Sequence, residues 1–202
     1  MNAILRTEAG NPENQDCGLI IDGGSKLVLC IADGAGGRSG GREASLTAVQ
    51  WIRGCAMSLI DTNACLNALR QLDEAIERDV VAGETTCVIA VVEEGNVYGA
   101  SVGDSGAWIV RPSGILDLTK DQVRKPFVGS GGICPIPFVH ACKHGEHLIL
   151  ATDGLFKYAS PSRIGEVCQL YEVEQIPDRL IGLARSRFGA LPDDVTVISL
   201  RI

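Results

Sequence analysis

Short apolar segments, separated by turns rich in glycine and proline, run through most of this chain. Segments with the length and β-branched content typical of strands lie at 17–22, 26–32, 85–92, 97–102, 107–111, 115–118, 148–152 and 195–202. Apolar residues recur at helical spacing over 42–59 and 64–80, and shorter helical patterns occupy 161–171 and 175–188. The segment 121–147 is rich in glycine and proline and is predicted to be irregular.

The order of these elements favours antiparallel sheets. Strands come first, then a helix pair, then more strands, which differs from the alternating strand–helix order of a parallel sheet. The strands are apolar at nearly every position, so both faces of each sheet must be covered, one by a second sheet and the other by helices. We therefore expect an α+β fold, a four-layer α-β-β-α sandwich with two antiparallel sheets flanked by helix pairs. We expect one domain over residues 1–202.

Charge and composition exclude several classes of partner. The 202 residues carry a net charge of −7 at pH 7, whereas nucleic-acid binders usually concentrate Lys and Arg. No apolar run approaches the ~20 residues that a membrane-spanning helix needs. The eight cysteines form no Cys-x-x-Cys pair, and several lie in apolar runs, as reduced core thiols do. We expect a cytoplasmic protein that binds neither nucleic acid nor membrane.

Three aspartates stand beside apolar runs. Asp33 and Asp153 each end such a run, and Asp193 comes just before another. A buried strand holds a carboxylate at its tip in a fixed position, and several such tips together need a cation for neutralisation. Oxygen ligands without an accompanying Cys or His pattern favour Mg²⁺ or Mn²⁺ over zinc.

Each of these sites also has a simpler interpretation. The glycine-rich segment after Asp33 is equally compatible with a tight turn and a capping aspartate. Asp16 can belong to a turn stabilised by Asx hydrogen bonds. The spacing of His140, His144 and His147 admits a zinc site, although a surface turn fits the prolines nearby better.

The motifs taken together resemble the metal-dependent protein phosphatases of the type 2C serine/threonine family. The blocks follow one another in the family's order: Asn14-Gln15-Asp16, Asp33-Gly34-Ala35-Gly36-Gly37, Thr85-Thr86, Gly103-Asp104-Ser105, the apolar run 148–155 that contains Asp153-Gly154, and Asp193-Asp194-Val195-Thr196-Val197. The resemblance covers about residues 11–202. It implies a β-sandwich flanked by helices, with a site for two Mn²⁺ or Mg²⁺ ions at one end.

The resemblance also implies roles for individual residues. Asp33 would bridge both metals, and Gly34 would offer its carbonyl oxygen to one of them. Asp153 and Asp193 would hold the second metal, while Asp16 would position a metal-bound water.

Two further acids are implied less directly. Asp194 occupies the position of an asparagine in the family motif, so we rank it below Asp193 as a metal ligand. Asp121 resembles the aspartate that holds a third ion in bacterial relatives.

The chain departs from the family pattern in three places. The arginine that grips the substrate phosphate in many relatives is Asn11 here, so Arg6 or Arg38 would have to substitute for it. A histidine proposed as a proton donor in many eukaryotic relatives is Ala35 here. The segment 121–147 is too short for the family's long flap, which predicts a more open site.

The resemblance implies metal-dependent hydrolysis of phosphoserine and phosphothreonine in proteins, by a bridging hydroxide on a binuclear centre. The implied partners are a phosphorylated protein and an opposing Ser/Thr kinase, and we expect a monomer. Two alternatives stay open. One is a phosphatase of a small phosphorylated molecule, and the other is a non-catalytic module that binds phosphoproteins.

Overall fold

The computed structural model describes residues 2–35 and 40–202. Within those residues the strands are β1 (Ala3–Glu8), β2 (Asp16–Asp22), β3 (Lys26–Asp33), β4 (Cys87–Glu93), β5 (Asn96–Val102), β6 (Gly106–Arg111), β7 (Gly114–Asp117), β8 (Ile136–Ala141), β9 (His147–Ala151) and β10 (Val195–Arg201). They form two antiparallel sheets with the orders β2-β3-β4-β5-β8 and β1-β10-β9-β6-β7.

The helices cover the outer faces of the sheets. They are α1 (Gly41–Cys55), α2 (Thr62–Glu77), α3 (Asp153–Phe156), α4 (Pro161–Leu170) and α5 (Ile176–Ala184). Helix α2 begins after Asp61, whose carboxylate accepts a hydrogen bond of 2.7 Å from the Ala64 amide. Buried side chains such as Ile52 and Leu69 pack α1 and α2 on the first sheet. Ile164 and Leu180 similarly pack α4 and α5 on the second.

The inner faces of the two sheets meet in a third layer of apolar side chains. Leu29, Ile31, Ile109 and Leu148 are fully buried there, and each contributes about 1.5–3 kcal/mol of hydrophobic stabilisation. The predicted four-layer α+β sandwich is confirmed. Among the described residues, no helix combines the length and apolar character needed to cross a bilayer.

Two strands were not predicted. The segment 121–147 is not irregular throughout, because it contains β8, which pairs with β5 at the edge of the first sheet. Pro137 interrupts the sequence pattern by which this strand would be recognised. Proline is tolerated there because an edge strand leaves one row of amides unpaired. Strand β1, an edge strand of the second sheet, carries Arg6 and Glu8 and lacks a continuous apolar pattern.

Candidate functional site

The ends of several strands place acidic residues at one end of the sandwich. Asp16 and Asp33 lie opposite each other in the ladder between β2 and β3. In the second sheet, Ala151 of β9 pairs with Val197 of β10 and Gly106 of β6. Asp104, Asp193 and Asp194 lie in the connections beyond these pairs and Asp153 begins α3, so all four are brought to the same end.

The backbone of Asp33 is fixed by the two threonines at the head of β4. Its amide donates to the Thr86 hydroxyl at 3.0 Å, and its carbonyl accepts from the Thr85 hydroxyl at 2.9 Å and the Thr86 amide at 2.8 Å. The Thr86 hydroxyl also shares a hydrogen bond of 2.7 Å with Ser105. Next to it, Gly34 packs so closely on the Gly41 carbonyl that a Cβ atom would collide with it. The backbone of Asp33 and Gly34 is therefore held in place, whereas Gly36 and Gly37 of the predicted turn lie outside the described residues.

The Asp33 carboxylate is held in an unfavourable environment for a negative charge. Burial, together with the negative charges of Asp16, Asp153, Asp193 and Asp104, raises its pKa to about 9. No described residue donates a hydrogen bond to this carboxylate. Without a cation, Asp33 is therefore protonated at neutral pH.

Asp16 lies behind Asp33 and is only 5% exposed. Its Oδ2 atom accepts a hydrogen bond of 2.8 Å from Thr152, while Oδ1 is buried with no partner among the described residues. Burial raises the pKa of Asp16 to about 7, against the opposing effect of the Thr152 hydrogen bond. One buried oxygen atom therefore lacks a donor.

Lys157 links two of the predicted metal ligands. Its ammonium group lies 2.5 Å from Oδ2 of Asp153 and 3.8 Å from Oδ2 of Asp193. Burial raises the pKa of Asp153, and the hydrogen bond from Lys157 works in the opposite direction. The Lys157 ammonium group thus supplies a positive charge beside both carboxylates.

The Asp194 carboxylate accepts hydrogen bonds from backbone amides. One of its carboxylate oxygens accepts from the amides of Gly10 and Asn11 at 2.8 and 3.0 Å, and the other accepts from the Gln15 amide at 2.9 Å. Both oxygens are thus used to hold the segment before β2. This arrangement favours a positioning role over direct metal ligation.

One cavity of about 400 Å³ opens at this end of the sandwich. Asp104 borders it and is paired with Arg124, whose Nε lies 2.7 Å from Asp104 Oδ2. The charged, polar and backbone groups around the cavity include Asn11, Gln15, Asp33, Gly34, Ala35, Glu84, Thr86, Asp104, Arg124, Lys125, Asp153, Lys157, Asp193 and Asp194.

Among the described residues, three of the predicted site residues do not line this cavity, namely Asp16, Asp121 and Arg6. Asp121 has a side chain that is 77% exposed, and it lies 3.9 Å from the Lys120 ammonium. Arg6 pairs with Asp178 at 3.4 Å on the surface of β1 and α5. Arg38 lies outside the described residues. The alternative of a zinc site at His140, His144 and His147 is not supported by the described residues, where His140 bonds to Glu146 at 3.0 Å.

Sequence reasoning missed Lys157, recognised Asp104 only within the family block Gly103-Asp104-Ser105, and considered Arg124 only within a basic segment more typical of a solvated loop. Asp104 had a detectable signal, since it follows a strand as Asp33 and Asp153 do, but a hairpin turn explained it equally well. Lys157 lies four residues after Asp153, a helical spacing that brings the two side chains together only because α3 forms there. Arg124 comes from a segment without regular structure, so no periodic pattern could place it.

The oxygen atoms around Asp33 fit a hard divalent cation. The donor set contains carboxylates and a backbone carbonyl, which suit Mg²⁺ or Mn²⁺. A bound cation would favour the ionised form of Asp33, whose pKa is raised, and would lie near the partnerless Asp16 oxygen. Over residues 2–35 and 40–202, no three His, Cys, Asp or Glu side chains form a ready cluster for one ion. Magnesium usually takes only one or two protein carboxylates and keeps several waters, so such a cluster is not required.

Comparison with known proteins identifies the family. The model described as Protein phosphatase 2C matches residues 6–180 of this chain. The chain belongs to the protein phosphatase 2C family. The serine/threonine protein phosphatase PstP of Mycobacterium tuberculosis is 27% identical to it over 208 residues, which cover 85% of this chain and 39% of PstP. This protein phosphatase 2C chain therefore spans less than half the length of that relative.

Solved structures agree with this assignment. A mutated bacterial serine phosphatase is 25% identical and has a TM-score of 0.87, with 100% of this chain and 98% of that chain covered. The PPM Ser-Thr phosphatase MsPP from Mycobacterium smegmatis, in complex with cacodylate, has a TM-score of 0.82 at 23% identity, again covering 100% and 98% of the two chains. The second likeness concerns the fold alone.

Proposed function

We propose that this chain hydrolyses phosphoserine and phosphothreonine in proteins with the help of two Mn²⁺ or Mg²⁺ ions. The observation that supports this proposal best is the convergence of Asp33, Asp153, Asp193 and Asp104 around one cavity. Mutual repulsion and burial leave Asp33 with a pKa of about 9. Such a cluster is costly for folding unless cations neutralise it.

The residues that would hold the ions follow from their positions. Asp33 would contact both ions, the Gly34 carbonyl would contact one, and Asp153 and Asp193 would hold the other. When bound, two such ions supply an activated water and neutralise charge on the phosphoryl oxygens.

The remaining groups position the site and the substrate. Asp16, anchored by Thr152, orients water beside Asp33 through its partnerless oxygen. Arg124 and Lys125 border the cavity and can bind the substrate phosphate in place of the arginine that Asn11 replaces. Lys157 must release Asp153 and Asp193 when a metal binds, and its freed ammonium group then becomes available to a phosphoryl oxygen.

A third ion is better supported at Asp104 than at Asp121. Asp104 lies close enough to Asp33 and Asp153 to raise the pKa of both carboxyl groups, and it borders the cavity. Asp121 faces solvent beside Lys120. We expect Asp104→Asn to lower activity and Asp121→Asn to leave it within twofold, measured as kcat/KM at saturating Mn²⁺.

Activity assays test the proposal directly. Turnover of p-nitrophenyl phosphate and of a phosphothreonine peptide should require Mn²⁺ or Mg²⁺, and Asp33→Asn should lower kcat/KM by roughly 100-fold or more. Asp178→Asn, at an exposed ion pair with Arg6, is the matched control. Metal-independent turnover, or no turnover with either ion, would refute the proposal. A higher kcat/KM for small phosphate esters than for peptides would instead favour the small-molecule alternative.

One observation favours a second candidate, a non-catalytic module that binds phosphoproteins. Lys157 already neutralises Asp153 and Asp193, and Asn11 and Ala35 replace residues with catalytic roles in relatives. Calorimetric titration with Mn²⁺ separates the two functions. Two ions should bind to a phosphatase, whereas a binding module of this kind should take up at most one ion weakly.

The proposed substrate implies a partner enzyme. A protein that removes phosphate from serine and threonine needs a Ser/Thr kinase that adds it.

The cysteines bear on the cellular compartment. All eight carry free thiols, which agrees with a reducing compartment such as the cytoplasm. We propose that the chain acts as a monomer, which light scattering would test.

A further inference from the structure

The three strands that carry acids at one end of the second sheet carry basic residues at the other. β6 ends at Arg111, β9 begins at His147 and β10 ends at Arg201. In the ladders, His147 lies opposite Arg201 and Val110. Because a strand rises about 3.3 Å per residue, the two ends of β6 are roughly 17 Å apart. The basic group is therefore separate from the metal-binding end.

A second cavity, of about 460 Å³, opens beside these residues. Its polar lining includes Arg111, His147, Arg201, Gln169 and Glu172. The volume is sufficient for a small organic ligand. Glu172 is the only acid in this lining, so the cavity has an excess of positive charge.

Two of the lining side chains have buried nitrogen atoms without partners. His147 is only 8% exposed, and its Nδ1 atom makes no hydrogen bond with any described residue. The Nε atom of Arg111 is also buried, and it has no hydrogen-bond partner among the described residues. Folding rarely leaves such groups unsatisfied, and a ligand is one of the standard explanations.

The nearby acidic side chains that the structure describes leave the basic residues of this cavity without close partners. Glu172 approaches the Arg201 guanidinium only to 3.9 Å, with both side chains largely exposed. Glu146, which Arg111 influences electrostatically, is already bound by His140 and the Lys143 amide at 3.0 Å each. Burial and the charge of Arg201 lower the pKa of His147, while Glu172 opposes that effect. The His147 ring therefore experiences a net positive field.

We propose that this cavity binds a small anion that carries a phosphate group. Two guanidinium groups against one carboxylate leave one positive charge, and His147 adds a ring nitrogen as a hydrogen-bonding group. Guanidinium groups form paired hydrogen bonds with phosphate oxygens, and the free Arg111 Nε is available for one of them. The partnerless Nδ1 atom of His147, another residue of the lining, would provide a further contact.

Titration followed by NMR tests this site in the metal-free protein. The probes are inorganic phosphate and phenylphosphonate, which the protein cannot hydrolyse. We expect the Nε–H signals of Arg111 and Arg201 and the imidazole signals of His147 to shift together and to saturate. Because these signals report only on this cavity, binding of phosphate near Lys157 or Arg124 cannot produce the same result.

A double variant provides the second measurement. The combined substitutions Arg111→Gln and Arg201→Gln should weaken the affinity for phosphate, measured from the imidazole signals of His147, by roughly tenfold or more. Arg78→Gln, at an exposed pair with Glu74 on α2, is the matched control and should not change it. Unmoved signals at tens of millimolar of both probes, or unchanged affinity in the double variant, would overturn the proposal. If the double variant does not fold, the titration of the unmodified protein decides alone.

Discussion

At the scale of single residues, Lys157 is the side chain that most directly controls access to the predicted metal ligands. Its ammonium group contacts Asp153 at 2.5 Å and lies 3.8 Å from Asp193. A divalent cation competes for the same carboxylate oxygens. We therefore expect Lys157 to stabilise the metal-free form and to weaken metal binding.

Replacing this lysine should strengthen metal binding. We expect Lys157→Met to lower the Kd for Mn²⁺ about fivefold, since the ion pair is partly exposed and contributes about 1 kcal/mol. Calorimetry with Mn²⁺ measures the change, and Lys143→Met, at an exposed position in the turn before β9, is the control. Weaker Mn²⁺ binding by Lys157→Met would show that the lysine supports the site instead of competing for it. If freed Lys157 also contacts the substrate, the variant's KM should rise while its metal affinity improves.

The acids of the site were more predictable than its cations. Asp33 and Asp153 were recognisable because a polar residue directly after an apolar strand has a defined position. Lys157 and Arg124 were not, because their positions depend on the short helix α3 and on an irregular segment. Long cationic side chains can reach a site from many backbone positions, so sequence spacing alone does not locate them.

At the scale of elements, the head of β4 holds the turn that carries Asp33. The Thr86 hydroxyl accepts from the Asp33 amide at 3.0 Å and shares a hydrogen bond with Ser105 in the turn before β6. This one side chain therefore joins the two sheets beside the cavity. Its burial, with 2% exposure, makes each of these hydrogen bonds costly to lose.

Removing the Thr86 hydroxyl should destabilise the protein and the site together. Thr86→Val keeps the shape but leaves the Asp33 amide without its acceptor, so the free energy of unfolding should fall by about 1–3 kcal/mol. Urea denaturation measures this change. Thr62→Val, whose hydroxyl makes no hydrogen bond with the described residues, should change it by less than about 0.5 kcal/mol. Equal effects of the two substitutions would refute the role assigned to Thr86.

The elements of the core were predictable, whereas two of the four edge strands, β1 and β8, were not. Strands β3, β4 and β10 are buried on both faces, so their sequences are almost continuously apolar. Edge strands β1 and β8 expose one side to solvent and carry charged residues or proline. These features prevent unwanted pairing with other chains, and they also remove the pattern by which strands are recognised.

At the scale of the whole molecule, the stability of the metal-free protein should depend on pH through the acidic end of the sandwich. Asp33 and Asp16 have pKa values of about 9 and 7, above their ordinary value of 3.8. The folded protein thus holds protons that the unfolded chain releases at lower pH. The resulting stabilisation is fully present below pH 3.8 and is lost as pH rises from there to about 7 for Asp16 and about 9 for Asp33.

We expect the melting temperature of the metal-free protein to fall between pH 6 and pH 9, and Mn²⁺ to remove this decline by stabilising the ionised carboxylates. Each group contributes at most about 1.4 kcal/mol per pH unit. Calorimetric scans of the metal-free protein measure the effect, and Asp33→Asn should make the profile flatter. A profile for Asp33→Asn that matches the unmodified protein would contradict the assigned pKa of Asp33.

The central claim is that Asp33, Asp153 and Asp193 bind two divalent ions at one end of the sandwich. Anomalous scattering from a crystal soaked in Mn²⁺ tests it most directly. The account predicts two peaks beside Asp33, one of them next to Asp153 and Asp193, with the Lys157 ammonium displaced from both carboxylates. Absence of anomalous density at this end, with Lys157 still bound to Asp153 at saturating Mn²⁺, would contradict it.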